Sequence, residues 1–120
     1  MLNRSIPLDS VFQALSDPAR RSMVERLCRG PASVKELARP LAMSLSAVVQ
    51  HLQVLESSGL VRSEKSGRVR TCTIQPAVLL SAEDWFAERR KHWEHKLDRL
   101  ATYLAEDVDI KGGNDGQADG

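Results

Sequence analysis

The residues best suited to engage a partner lie between positions 44 and 70. Ser44, Ser46, Ala47, Val49, Gln50, His51 and Gln53 are short or hydrogen-bonding side chains within one stretch. The carboxamides of Gln50 and Gln53 match the donor and acceptor that adenine presents in a DNA major groove. Ser46 suits a phosphate or a base edge, Val49 a thymine methyl, and His51 a phosphate oxygen. Further along, Arg62, Lys65, Arg68 and Arg70 surround the Ser66-Gly67-Arg68 run, with Glu64 as the acid among them. Such a basic tip suits the phosphate backbone or the adjacent minor groove. The chemistry implied is recognition of double-stranded DNA.

Catalytic chemistry finds no comparable set. The chain has no Gly-rich phosphate loop, no nucleophile elbow and no metalloprotease motif, so no catalytic residue and no cofactor are expected. Glu88, His92 and His95 fall on one face of a helical stretch and resemble part of a zinc site. They read better as a solvent-facing or dimer-edge cluster, and no metal site is assigned. Cys28 and Cys72 read as small buried apolar side chains. With two cysteines and no apolar leader in Met1–Pro7, a disulfide framework is not expected.

Elements must hold the 44–70 set in place. Leu8, Val11, Phe12 and Leu15 recur at helical spacing, predicting a short helix over 8–16. Asp17-Pro18 restarts a helix that reaches about Arg29, with Met23, Val24 and Leu27 inward. Ser33 and Glu36 form a capping-box pair that opens a third helix, with Val34, Leu37 and Leu41 facing in and Pro40 ending it. A fourth helix is predicted over 44–57, with Leu45, Val48, Leu52 and Leu55 as its core stripe and Gly59 closing it. The period then changes. The runs 61–65 and 69–74 around Gly67 predict a β-hairpin that Pro76 terminates. A long helix follows from Ala77 or Ser81 to Leu104.

The expected architecture is mainly α with a small β-hairpin, a winged helix-turn-helix in the order α-α-α-α-β-β-α, functioning as a dimer. Residues 8–104 form the DNA-binding and dimerisation domain. Hydrophobic residues are 42% of the chain and aromatic ones 4%, so the core is small and aliphatic. The apolar strip Trp85, Phe86, Trp93, Leu97, Leu100 and Leu104 exceeds what one small monomer can bury. With Val11, Phe12 and Leu15 it is assigned to a homodimer interface.

Net charge is +1, but its distribution is uneven. Up to Leu104 there are 16 basic against 11 acidic side chains, and from Ala105 onward one against five. The acidic, Gly-rich segment 105–120 is expected to be disordered. No apolar run is long enough to cross a membrane, which predicts a cytoplasmic protein with no membrane partner.

The residues also carry a family resemblance. Phe12-Gln13-Ala14-Leu15-Ser16-Asp17-Pro18-Ala19-Arg20-Arg21 resembles the opening segment of ArsR-family winged-helix repressors. The run from Leu45 through Gln50-His51-Leu52-Gln53-Val54-Leu55 to Gly59-Leu60-Val61 is similar to that family's recognition helix and its exit. The resemblance spans roughly 8–104. It implies a homodimer paired through the first and last helices, and repression, often of its own operon. It implies DNA contacts at Ser46, Gln50 and His51 and in the wing near Arg68. Val49 departs from the family, which often has Ser there. The paired-cysteine metal segment has no thiol here, since the matching stretch is Glu36-Leu37-Ala38-Arg39-Pro40-Leu41. The family's metal-site spacing on the last helix is not reproduced either.

Two other readings share the fold. One is a repressor that answers to a metal, a thiol oxidant or an unknown small-molecule effector. The other is a winged-helix protein-interaction module, which the neutral-polar face beside a basic hairpin disfavours.

Overall fold

The computed structural model describes residues 7–119, with side chains described through Asp107. Residues 1–6 and Gly120 lie outside the described residues, and the expectation about a leader falls there. The chain divides into two compact units, one ending at Glu83 and the other starting at Asp84.

The first unit begins with α1 (Leu8–Ala14) and α2 (Pro18–Leu27). Asp17 caps α2 by accepting a hydrogen bond from the Arg20 backbone N–H at 3.1 Å, and Pro18 occupies the first helical position. The two-residue strand β1 (Ala32–Ser33) leads into α3 (Val34–Ala38). Ser33 and Glu36 close the anticipated capping box: Ser33 Oγ accepts from the Glu36 N–H, and Glu36 Oε1 accepts from the Ser33 N–H. Those N–H groups hold the Glu36 carboxyl below its ordinary range.

Next comes α4 (Leu45–Ser57), capped by Ser44, whose Oγ accepts from the Ala47 N–H at 3.1 Å. Val48, Leu52 and Leu55 of its predicted stripe are buried. Leu45 is 50% exposed, because it lies in the first turn, where the helix projects past the core. Gly59, at φ +87°, turns the chain out of α4 in the left-handed region. The buried Ser58 hydroxyl donates to the Leu55 carbonyl and accepts from the Leu60 N–H, so this turn is internally satisfied.

The hairpin consists of β2 (Val61–Ser66) and β3 (Val69–Ile74). The sheet has three strands in the order β1-β3-β2, all antiparallel, with Ala32 opposite Cys72. The sequence reading gave two strands. It missed β1 because two residues carry no alternation, and only their pairing with β3 makes them a strand.

α5 spans Pro76–Asp119. Its start packs Val78 and Ala82 into the first unit's core with Val11, Ala14, Met23, Leu27, Leu37 and Leu60. Its backbone is helical over 105–119, within the segment 105–120 expected to be disordered. No proline follows Pro76, and a helix supplies its own backbone partners as it extends. Among the described residues, no helix is long and apolar enough to cross a membrane.

Val11 is fully buried within this core, so it is not part of an exposed interface as the sequence reading had it. An amphipathic stripe looks the same whether it faces the core or a second copy. Cys28 is exposed at the end of α2 rather than buried, while Cys72 is buried on β3.

Leu55 is fully buried beneath α4. Leu55→Ala is expected to lower unfolding free energy by about 2–5 kcal/mol in urea melts, whereas Val54→Ala, at a partly exposed site, stays within about 1 kcal/mol.

Candidate nucleic-acid interface

α4 presents two distinct faces. Val48, Leu52 and Leu55 point into the body. Ser44, Ser46, Val49, Gln50 and Gln53 are exposed, and Ala47 is half-buried. Ser44 and Ser46 lie with their hydroxyls 3.3 Å apart at the helix start. No acidic side chain occurs from Ser44 to Leu55, so this surface carries no negative charge to repel phosphate.

His51 differs from the rest of the candidate set. It is half-buried, with its side chain 22% exposed. Its Nδ1 lies 3.1 Å from an Arg20 guanidinium nitrogen and 4.0 Å from Asp17 Oδ2. Arg20 also donates to the Ala14 carbonyl at 2.7 Å and to the Gln13 carbonyl at 3.3 Å. One guanidinium thus ties the end of α1, the start of α2 and the middle of α4. The Arg20 N–H, accepted by the Asp17 carboxylate, holds that carboxyl below its usual 3.8, with the nearby His51 and Arg20 charges acting the same way. The stabilising contribution of Asp17 is therefore present above the ordinary carboxylate range. It is lost as pH falls through the depressed value.

The hairpin register sorts the basic residues. Lys65 stands opposite Arg70, on the same sheet face as Ser63 and Cys72. Arg62 and Glu64 occupy the other face and form an ion pair at 3.1 Å. Arg68 sits at the tip beside Gly67, which has φ +65°. Arg62, Lys65, Arg68 and Arg70 are all exposed. Lys65 and Arg68 have no ion pair or side-chain hydrogen bond among the described residues. Arg70 donates to Ser63 Oγ at 2.9 Å, and Ser63 Oγ donates to Glu56 on α4, so a polar relay joins the hairpin to that helix.

A cleft of about 330 Å³ runs between α4 and β3, lined by Val34, Val49, Leu52, Gln53, Glu56 and Arg70. A neighbouring one of about 290 Å³ is lined by residues that include Lys35, Leu45, Arg68, Val69 and Arg70. Arg70 thus borders the Val49 and Gln53 surface. Lys35 on α3, absent from the sequence-based set, joins Arg68 and Arg70. Its signal in the sequence was only a lone exposed cation in a capped helix. Arg20 was also missed, because its partner His51 lies 31 positions away.

In the second unit, Phe86, Trp93, Leu97, Leu100, Tyr103 and Leu104 are each about half exposed or more, and Trp85 is 38% exposed. The Arg89 guanidinium stacks 4.4 Å above the Trp85 ring, which meets Phe86 edge-on at 5.4 Å. Glu88, His92 and His95 border one open groove. Among the described residues, no group of three or more His, Cys, Asp or Glu side chains is placed to hold a metal.

Comparison with known proteins agrees with this geometry. A family model described as a helix-turn-helix domain matches residues 15–64. An HTH-type transcriptional regulator of Mycobacterium tuberculosis is 46% identical over 104 residues, which is 87% of this chain and 91% of that protein. The crystal structure of an ArsR family transcriptional regulator superposes with a TM-score of 0.68 at 48% identity, covering 72% of this chain and 90% of that one. The homodimeric winged helix-turn-helix DNA-binding domain of a possible ArsR-family regulator from Mycobacterium bovis gives a TM-score of 0.58 at 26% identity, covering 73% and 82% of the two chains.

Burial and, secondarily, the charge of Glu56 push the Cys72 thiol up to about 11. It therefore stays protonated at neutral pH, and the thiolate is the reactive form. Native protein is expected to give one rapidly modified thiol, Cys28, in a maleimide time course. Cys72 becomes reactive only on unfolding; rapid native labelling of Cys72 contradicts its burial.

Proposed function

The chain belongs to the ArsR family of winged helix-turn-helix transcriptional regulators, and from that premise we propose that it represses transcription by binding an inverted-repeat DNA site as a homodimer. The observation that carries this reading is the exposed face of α4, without acidic side chains from Ser44 to Leu55, flanked by the basic hairpin. In this reading α4 enters the major groove. Gln50 and Gln53 read base edges, Ser44, Ser46 and Ala47 approach closely, and Val49 meets a thymine methyl. Lys65, Arg68 and Arg70 contact phosphates, or the minor groove beside them, and Lys35 extends that basic edge. Arg62 contributes less, because Glu64 already neutralises it.

The second copy is assigned to the apolar strip of α5, together with the half-buried Phe12 and Leu15. Phe86, Trp93, Leu97, Leu100 and Leu104 follow one another at intervals of seven, four, three and four, a seam suited to a facing helix. That a solved relative is homodimeric supports a second copy as the partner. Two recognition helices then lie about one DNA turn apart, roughly 34 Å. Residues 8–104 form the functional unit, acting in the cytoplasm without a catalytic role. Repression is the outcome the family implies, by occupancy of the site.

Two experiments test the reading, both on a duplex that the wild-type chain selects from a random pool. Gln50→Ala is expected to reduce discrimination between selected and scrambled duplexes by about 1–3 kcal/mol. Arg68→Ala should weaken both alike and lower the salt slope by about one. If neither effect appears, the groove assignment is wrong. Separately, Leu97→Glu is expected to convert dimer to monomer in sedimentation velocity and to weaken operator binding. An unchanged dimer removes the strip from the interface.

A further inference from the structure

We propose that Arg20 is a positioning residue that fixes the tautomer of His51, so that His51 presents an N–H donor to the DNA. This inference rests on the DNA-binding reading of α4. Its physical basis is the direction of one hydrogen bond. The Arg20 guanidinium and His51 Nδ1 are 3.1 Å apart. A guanidinium donates only and does not lose its proton in proteins. Nδ1 must therefore accept, and the single proton of the neutral ring sits on Nε2.

The position of Asp17 makes this arrangement informative. A carboxylate beside an imidazole ordinarily accepts a hydrogen bond from Nδ1–H and leaves Nε2 as an acceptor. Here Asp17 Oδ2 is 4.0 Å from Nδ1, while it accepts the Arg20 backbone N–H at 3.1 Å. Asp17 thus stands beyond hydrogen-bond range of the ring, and Arg20 takes its place against Nδ1. The Ala14 and Gln13 carbonyls anchor the same guanidinium, so two hydrogen bonds hold its aim at Nδ1.

Nε2 faces outward. Among the described residues, no buried side-chain nitrogen or oxygen lacks a partner. His51 makes its polar contacts through Nδ1, so the unpartnered Nε2 reaches solvent. It does so from α4, beside the exposed Gln50. DNA phosphates are pure acceptors, and purine N7 is one as well. A ring locked as an Nε2–H donor matches them; the opposite tautomer sets two acceptors against each other.

The test uses the full chain. Ring ¹⁵N NMR on free protein at about pH 8, above the ordinary imidazole range, should show the Nε2–H form for His51. Arg20→Ala leaves Asp17 as the charged neighbour of Nδ1 and should move the proton to Nδ1. Arg20→Lys retains a donor and should keep the Nε2–H form. On the selected duplex, Arg20→Ala and His51→Ala should each weaken binding about tenfold. The double variant should be no worse than either single, since Arg20 acts through His51. A loss on selected and scrambled duplexes alike marks a phosphate as the acceptor. A loss on the selected duplex alone marks a base edge. Either supports the assignment. An Nδ1–H signature in the wild type, or additive losses in the double variant, overturns it. The wild-type signature stands as a readout even if Arg20→Ala fails to fold. A wild-type chain that selects no duplex overturns the DNA reading, and the imidazole signature alone then decides what Arg20 does.

Discussion

The burial of Val48, Leu52 and Leu55 along one side of α4 is the constraint on which the rest of the structure depends. These three side chains set the rotation of the helix. Rotation in turn decides which residues are left for a partner. A helix turns 100° per residue, so a stripe at i, i+4 and i+7 leaves the opposite arc exposed. That arc carries Ser46, Val49, Gln50 and Gln53. No separate interaction is needed to aim them, because the core that stabilises the domain also orients this exposed surface. Each of the three buried side chains contributes about 1.5–3 kcal/mol by leaving water. No single polar contact at the surface of α4 is comparable in size.

Local signals carried much of the fold. Asp17-Pro18, the Ser33 and Glu36 capping pair, Ser44 and Gly59 each fix an element boundary through a backbone group within a few positions, and such groups can be read one after another along the chain. The hairpin was legible for the same reason: Gly67 and the flanking β-type runs specify the turn and the strands together. β1 lacked such a signal. Ala32 and Ser33 become a strand only because Cys72 and Thr71 arrive beside them.

The candidate site was legible by composition, less so by geometry. Exposure of Gln50, Gln53 and Arg68 follows from helix period and turn position. What the sequence left open was register and long-range pairing. Hairpin pairing puts Lys65 with Arg70 and leaves Arg62 on the reverse face with Glu64, which separates residues that look equivalent in the chain. Val11 and Cys28 show the complementary error. Hydrophobicity tells that a side chain prefers a non-aqueous neighbour, not whether that neighbour is the core, a second copy or absent. His51 was read as a contact residue free to face outward. In the fold, one of its nitrogens is already committed to a guanidinium contributed by another helix.

The charge arrangement of the hairpin carries the argument from fold to partner. Lys65 and Arg70 lie directly across from each other, and like charges so placed destabilise a strand pair by a few tenths of a kcal/mol to about 1 kcal/mol. Arg70 is partly reconciled by Ser63 and Glu56, whereas Lys65 and Arg68 gain no opposing charge among the described residues. A sheet selected for stability alone has no reason to keep three cations together at its tip. A polyanion provides one, since its phosphates remove the repulsion and release their own counterions on contact. The same logic explains why Arg62, on the reverse face, is neutralised within the protein. Opposing charge is thus supplied on the Arg62 face by Glu64, while Lys65 and Arg68 receive none among the described residues. In the proposed reading a bound polyanion would complete the electrostatics of the hairpin, while the aliphatic core beneath α4 holds that helix beside Arg70.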